Sequence, residues 1–160
     1  MNVTLDDLRR IAEVEFNDLI ADVESLEEKV RLFIADTSYI DVWLSRKLPE
    51  RFGYHWERGH IDSTFYRYDN FPNTAWRNVE TYPRHFHNGS QTHVEAAPFS
   101  ADILEGFRDF LRFVKNKKAP PPDESKTRVD ESPDTPPREH KGRFAHLEII
   151  SDEPPDNPTT

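Results

Sequence analysis

The spacing of the apolar residues changes twice along the chain, and each change marks a new kind of secondary structure. In the first segment apolar residues recur three or four positions apart, as on one face of a helix. Thr4 can cap this helix, with Asp7 three residues further on. The pattern predicts a helix carrying Leu5, Leu8, Ile11, Ala12, Phe16, Leu19, Ile20 and Val23 on its buried face.

From Val30 onward apolar residues alternate with other residues, which is the period of a strand with one buried face. Two hairpins are predicted from this alternation. The first covers 30–44 and turns at 36–38, and the second covers 52–68 and turns at Gly59-His60. Residues 93–97 add a candidate fifth strand.

The helical spacing returns after Ser100, which can cap a last helix. Its predicted buried face consists of Ile103, Leu104, Phe107, Phe110, Leu111 and Val114. The order of elements predicts an α+β fold, in which an antiparallel sheet of four to five strands is flanked by an N-terminal and a C-terminal helix.

The last quarter of the chain differs in composition from the rest. Residues 119–160 contain nine of the thirteen prolines and five Lys/Arg against ten Asp/Glu. Such a segment buries too little apolar surface to offset the entropy of ordering it, so we predict a disordered acidic tail. A short apolar segment at 143–150 is predicted to be a strand or a docking peptide. The predicted globular domain is therefore 1–118.

Composition also excludes several classes of protein. The chain has no cysteine, which excludes disulfides, thiolate metal sites and cysteine nucleophiles. No apolar run approaches the roughly 18–20 residues that span a bilayer. The net charge of -9 argues against a general nucleic-acid coat protein. The N-terminus lacks a basic region followed by an apolar stretch, so no secretory signal is visible.

Histidines and aromatic residues are concentrated between residues 54 and 93. Five of the seven histidines lie there, and 46–93 is slightly basic, with seven Lys/Arg against five Asp/Glu. Cationic and aromatic side chains together suit phosphate contact and base stacking on single-stranded RNA. The alternative is that these aromatic residues are half-buried strand residues with no binding role.

Two stretches are more specific than composition. Arg67-Tyr68-Asp69-Asn70-Phe71-Pro72 ends a predicted strand, and Tyr82-Pro83-Arg84-His85-Phe86-His87 places two histidines on one face of an extended chain. Together with Tyr54-His55-Trp56 and the closing amphipathic helix, they resemble the TumE family of toxins from prokaryotic toxin–antitoxin systems. The resemblance covers roughly 28–116, with Tyr82 where Phe is commoner and Asn73 where His is expected.

The resemblance implies a small cytoplasmic toxin that is neutralised by a cognate antitoxin protein. Toxins of this size commonly cleave cellular RNA, and the residues permit that chemistry without a metal or other cofactor. His85 and His87 can divide the roles of general base and general acid, because histidine titrates near neutrality. Asp69 can orient an imidazole, and His55 is a further catalytic candidate. In a metal-free ribonuclease, Asp69, His85 and His87 are expected to converge on one concave surface that solvent reaches. Asp69 can instead form an Asx-turn, and His55 can be a half-exposed polar residue with no role.

Substrate-binding roles are predicted for residues beside these. Arg67 and Arg84 can stabilise the phosphate charge that develops during RNA cleavage. Tyr68, Asn70 and Trp56 are the candidates for contact with the RNA itself.

Two other hypotheses remain open at this stage. His85 and His87, with Asp69 and either His55 or His93, can provide ligands for zinc or manganese. The protein can also be a non-catalytic module whose aromatic, histidine-rich face docks a protein partner or RNA. The number of copies that assemble is left open.

Overall fold

A seven-stranded antiparallel sheet forms the centre of the structure, and each strand pairs with its neighbour in sequence. The structure is a computed structural model that describes residues 2–118. The predicted tail, 119–160, and its apolar segment at 143–150 lie outside the described residues. The strands are β1 Ile20–Ser25, β2 Lys29–Ile34, β3 Tyr39–Leu44, β4 Phe52–Arg58, β5 Thr64–Asp69, β6 His85–Gly89 and β7 Val94–Glu95. The α+β fold class is confirmed, with more strands than the four to five predicted.

Two long helices accompany the sheet, α1 (Leu5–Glu15) and α3 (Ile103–Lys118). A one-turn helix, α2 (Gly59–Asp62), joins β4 to β5, and a 3₁₀ turn covers Thr74–Trp76. The predicted capping box is confirmed, because Thr4 and Asp7 exchange hydrogen bonds between side chain and backbone at the start of α1.

The start of α3 differs from the prediction. Asp102 takes the capping role expected of Ser100, since its carboxylate accepts the backbone N–H of Glu105 at 2.9 Å. The hydroxyl oxygen of Ser100 instead accepts the N–H of Asp102. The helix begins at Ile103, three residues after Ser100.

The prediction that the first helix reaches Val23 is wrong. The helix ends at Glu15, and Ile20 to Val23 belong to β1. A bulge at Ala21 lets Ile20 pair with Ile34 while Val23 pairs with Leu32. The extra residue places two apolar side chains three positions apart on one face of a strand, which imitates the spacing of a helix.

Both long helices pack on the same face of the sheet. α1 lies against β1, β2 and β3 through Leu8, Ile11 and Ala12. α3 covers the aromatic side chains of the later strands, with Tyr54 and Phe107 ring centroids 5.0 Å apart. We call this the helical face, and its side chains form one continuous apolar core.

The opposite face of the sheet is polar. Charged and imidazole side chains in register across neighbouring strands form a row, which we call the polar row. Its members are Glu24, Arg31, Asp41, His55, Arg67 and His87. The next row along the strands contains Asp69 paired with His85. The polar face is therefore the place to look for chemistry.

Within residues 2–118, no helix combines the length and apolar character required to cross a membrane.

Candidate functional site

Asp69, His85 and His87 come together on the polar face. Asp69 is the last residue of β5 and pairs with His85, the first residue of β6. His87 lies two residues further along β6 and points to the same side. Nε2 of His85 is 3.3 Å from Oδ1 of Asp69, and one ligand-type atom from each of the three lies within 4.8 Å of the others. We call these three residues the Asp69 cluster.

The cluster is buried, whereas exposed histidines were expected from the sequence. Asp69 is 4% exposed, and His85 and His87 are each 2% exposed. The predicted convergence of the three side chains is found, but not on a surface that solvent reaches freely. Any substrate must first gain access to them.

Backbone carbonyls fix the orientation of both imidazoles. Nδ1 of His85 lies 2.9 Å from the carbonyl oxygen of Pro83, and Nδ1 of His87 lies 3.2 Å from that of Gln91. A carbonyl oxygen can only accept, so both Nδ1 atoms carry a proton. In the neutral tautomers, Nε2 is then the nitrogen with the free lone pair.

His87 is neutral at physiological pH. Burial is the main cause, and together with the nearby positive charge of Arg67 it lowers the pKa of His87 to about 3. His87 therefore presents a lone pair and not a charged donor. It suits the role of a base or a metal ligand better than that of an acid.

Asp69 also forms the Asx-turn weighed as an alternative. Its Oδ1 accepts the N–H of Phe71 at 2.9 Å, so the carboxylate both ends β5 and faces His85. Asn70, in contrast, is occupied by structural bonds. Its side chain accepts the N–H of Phe52 and donates to the carbonyl of Glu50, which ties the start of β4 to the end of β5.

Trp76 lies beside the cluster and was not assigned to the site from the sequence. Its ring centroid is 6.2 Å from that of His85 and 5.8 Å from that of His87. The residue belongs to the 3₁₀ turn in the irregular segment between the two motifs. It is the one aromatic residue in 72–81, and this isolated position between the two motifs is the sequence signal that could have assigned it to the site.

Two predicted residues flank the cluster in the polar row. Arg67 is half-buried beside His87, and its Nε has no hydrogen-bond partner among residues 2–118. His55 is not part of the cluster. Its Nε2 lies 2.9 Å from Glu57 and its ring stacks on Phe65. Burial lowers the pKa of His55, although Glu57 opposes the effect.

Trp56, Tyr68 and Arg84 lie on the other side of the sheet from the cluster. Trp56 and Tyr68 are 0% exposed in the core, where neither ring can stack on a base. Arg84 donates to the hydroxyl oxygen of Tyr68 at 3.1 Å and to the carbonyl of Phe99 at 3.0 Å. Strand alternation directs Trp56 and Tyr68 into the core, away from the cluster, and the substrate-binding roles of all three residues stay predictions. His93, a candidate metal ligand, has a 62% exposed side chain outside the cluster.

Comparison with known families decides what kind of protein carries this site. A family model described as toxin TumE matches residues 2–118. The chain belongs to the TumE toxin family. The match covers every described element of this TumE toxin, from α1 to α3, and confirms the resemblance that the motifs indicated. A TumE toxin belongs to a toxin–antitoxin system, which implies an antitoxin partner. No match was found among curated proteins or among solved structures.

Proposed function

We propose that this TumE toxin inhibits growth by cleaving RNA at the Asp69 cluster. The observation that supports the proposal is the convergence of two imidazoles and a carboxylate on the polar face of the sheet. Buried polar groups of this kind carry a desolvation cost and have few structural reasons to gather. The proposal places the toxin in the cytoplasm, where it meets its substrate.

Cleavage of RNA beside a 2′-hydroxyl requires removal of that proton, attack of the oxygen on phosphorus, and departure of the 5′-oxygen with a proton. The Nε2 lone pairs of the cluster are the groups that accept the first proton, and the imidazole that has taken it up returns a proton to the departing 5′-oxygen. Asp69 lies beside Nε2 of His85 and stabilises the positive charge that this imidazole gains with the proton. Histidine chemistry therefore remains the proposed basis of activity.

Arg67 is the proposed contact for the phosphate. It is the residue paired with His87 across β5 and β6, and its Nε has no hydrogen-bond partner among the described residues. A guanidinium beside the cluster is placed to stabilise the negative charge that grows on the phosphoryl oxygens during attack.

Access to the cluster requires movement of Trp76. Its indole lies against both histidines, and the turn that carries it is largely exposed. Displacement of this side chain opens the cluster to a phosphate. The indole can then stack on a base of the same RNA strand, as aromatic residues do in single-strand recognition.

The decisive experiment incubates purified full-length toxin with total cellular RNA and maps new RNA ends. We expect cleavage by the native toxin and none by Asp69→Asn, His85→Asn or His87→Asn. Asn is chosen for the histidines because its side-chain N–H lies near the Nδ1 position and can keep the bond to the backbone carbonyl. His93→Asn is the matched control and should cleave normally, because this histidine is exposed outside the cluster. A toxin that stops growth yet leaves all cellular RNA intact would refute the proposal.

The burial of the cluster favours a second candidate, a non-catalytic module that docks RNA or a protein. In that case His85 and His87 hold the loops around 83 and 91 in place and take part in no reaction. Such a module should keep its toxicity after a conservative change at one histidine. It should lose toxicity only when several exposed residues are changed together.

A further inference from the structure

We propose that Asp69, His85 and His87 together bind a zinc ion. The ligand set is two imidazole nitrogens and one carboxylate oxygen, all from β5 and β6. Zinc accepts these ligands, whereas magnesium and calcium prefer sites built from oxygen alone. Zinc binding does not depend on the proposed RNA cleavage, but any catalytic role of the zinc rests on that proposed function.

The spacing of the ligand atoms suits a tetrahedral ion. With metal–ligand bonds of about 2.0–2.1 Å, two ligands of a tetrahedral zinc lie about 3.3–3.4 Å apart. Nε2 of His85 and Oδ1 of Asp69 are already 3.3 Å apart. The whole set lies within 4.8 Å, so a small rotation of one side chain brings the third ligand to the ion.

Each imidazole already makes the Nδ1 hydrogen bond that histidine ligands of zinc usually make through their other ring nitrogen. Both Nδ1 atoms donate to backbone carbonyls, of Pro83 and Gln91, which fixes the tautomer and directs Nε2 toward the cluster. Nε2 of His85 therefore faces a carboxylate oxygen of Asp69, and a cation between these two atoms would be bound by both.

The second imidazole favours a metal over a simple pair of His85 with Asp69. Such a pair needs no third residue, whereas a metal draws His87 into the same unit. His87 makes the same Nδ1–carbonyl bond as His85, and its ring therefore also directs Nε2 toward the cluster.

Three protein ligands leave a fourth position for water or substrate. This is the ligand count of catalytic zinc sites, whereas structural sites are closed by four protein ligands. A zinc ion here would polarise a phosphoryl oxygen and make bound water more acidic. Trp76 lies beside the cluster and restricts access of bulk solvent to it.

The test uses full-length toxin that has been stripped with a chelator and then titrated with zinc chloride. Isothermal titration calorimetry should show one zinc per chain, and the midpoint of thermal unfolding should rise with zinc concentration. X-ray absorption should report light ligands at about 2.0–2.1 Å, with imidazole among them.

The chain has seven histidines, any of which could bind zinc, so variants are needed to assign the binding to the Asp69 cluster. Asp69→Asn preserves an oxygen to accept the N–H of Phe71 but removes the anionic ligand, and it should weaken zinc binding at least about tenfold. His87→Asn should do the same. His93→Asn should bind zinc as the native toxin does.

The outcomes separate the two proposals. Equal zinc binding by the native toxin, Asp69→Asn and His87→Asn would overturn the site, as would no binding or binding of manganese alone. Zinc binding that depends on Asp69 and His87, without any RNA cleavage, would uphold the metal site and refute the ribonuclease. RNA cleavage by stripped toxin that binds no zinc would uphold the ribonuclease and refute the metal site.

Discussion

Arg67 and Arg84 lie on opposite faces of the sheet, although the sequence suggested that both contact phosphate. Arg67 stands in the polar row beside His87, whereas Arg84 reaches through to the hydroxyl of Tyr68 and the carbonyl of Phe99 on the helical face. We therefore expect the two arginines to differ in role, with Arg67 serving the proposed RNA cleavage and Arg84 serving stability.

Substitution of these arginines should separate activity from folding. Arg67→Gln should lower RNA cleavage by about 100-fold, the usual effect of losing one charge-stabilising donor, and change the free energy of unfolding by less than about 1 kcal/mol. Arg84→Gln should cost about 1–3 kcal/mol of stability, because two buried acceptors lose their donor. Urea denaturation and an RNA cleavage assay on both variants check this. An equal loss of RNA cleavage per folded molecule in the two variants would contradict the assignment.

Replacement of His87 should destabilise the protein according to what replaces the Nδ1 donor. His87→Ala removes the hydrogen bond to the Gln91 carbonyl and leaves a cavity, so it should cost about 1–3 kcal/mol. His87→Asn keeps an N–H in reach of that carbonyl and should cost less. Chemical denaturation of both variants, with His93→Ala as an exposed control, gives the comparison. Identical losses for Ala and Asn would show that the bond to Gln91 is unimportant.

Asp41 should make the fold sensitive to acid. Burial alone would raise its pKa, but the hydrogen bonds and charges of Arg31 and Lys29 lower it below the ordinary 3.8. A carboxyl with a lowered folded pKa contributes stability that is complete above 3.8 and is lost as the pH falls through the folded value.

Unfolding of the native toxin and of Asp41→Asn, measured between about pH 2 and pH 7, tests this contribution. The variant should be less stable at neutral pH by about 1–3 kcal/mol, since two cations on the polar face lose their partner. The difference between the two proteins should shrink in acid. A difference that stays constant across this range would contradict the lowered pKa.

Removal of the Trp76 indole should expose the cluster. Trp76→Ala should make His85 and His87 react faster with an imidazole-modifying reagent, as followed by peptide mass spectrometry. Trp43→Ala is the matched control, because that indole packs on Phe71 and not on the histidines. If the reactivity of both histidines were unchanged in Trp76→Ala, Trp76 would not be the barrier to access.

The two hairpins could be predicted from the sequence, because Val30 to Leu44 and Phe52 to Tyr68 alternate clearly between faces. The order of the strands in the sheet could not be predicted. β1 was missed because the bulge at Ala21 gives its apolar residues a helical spacing. β6 is not among the predicted strands, because Pro72, Pro83 and Asn88-Gly89 interrupt the sequence around it. Only pairing with β5 makes that segment extended.

The cluster itself was predictable in part. The spacing of Asp69, His85 and His87 indicated convergence, which the β5–β6 register provides. Exposure was not predictable, because it depends on which side chains pack beside the cluster, and Trp76 lies next to both histidines. Composition also cannot tell which aromatic residues are buried. Trp56 and Tyr68 occupy strand positions of the same parity as Tyr54, and that parity faces the helices.

The neighbour-to-neighbour order of the strands also bears on how quickly the toxin becomes competent. Sheets with such short-range pairing have low contact order and do not wait for distant segments of chain to meet. Asp69 and His87 lie on consecutive strands, and one connection, 70–84, separates those strands, so their approach needs only the pairing of β5 with β6. The helix that shields the aromatic core, α3, is the last described element to leave the ribosome. The residues of the Asp69 cluster are therefore all synthesised before the helix that completes the apolar core on the other face of the sheet.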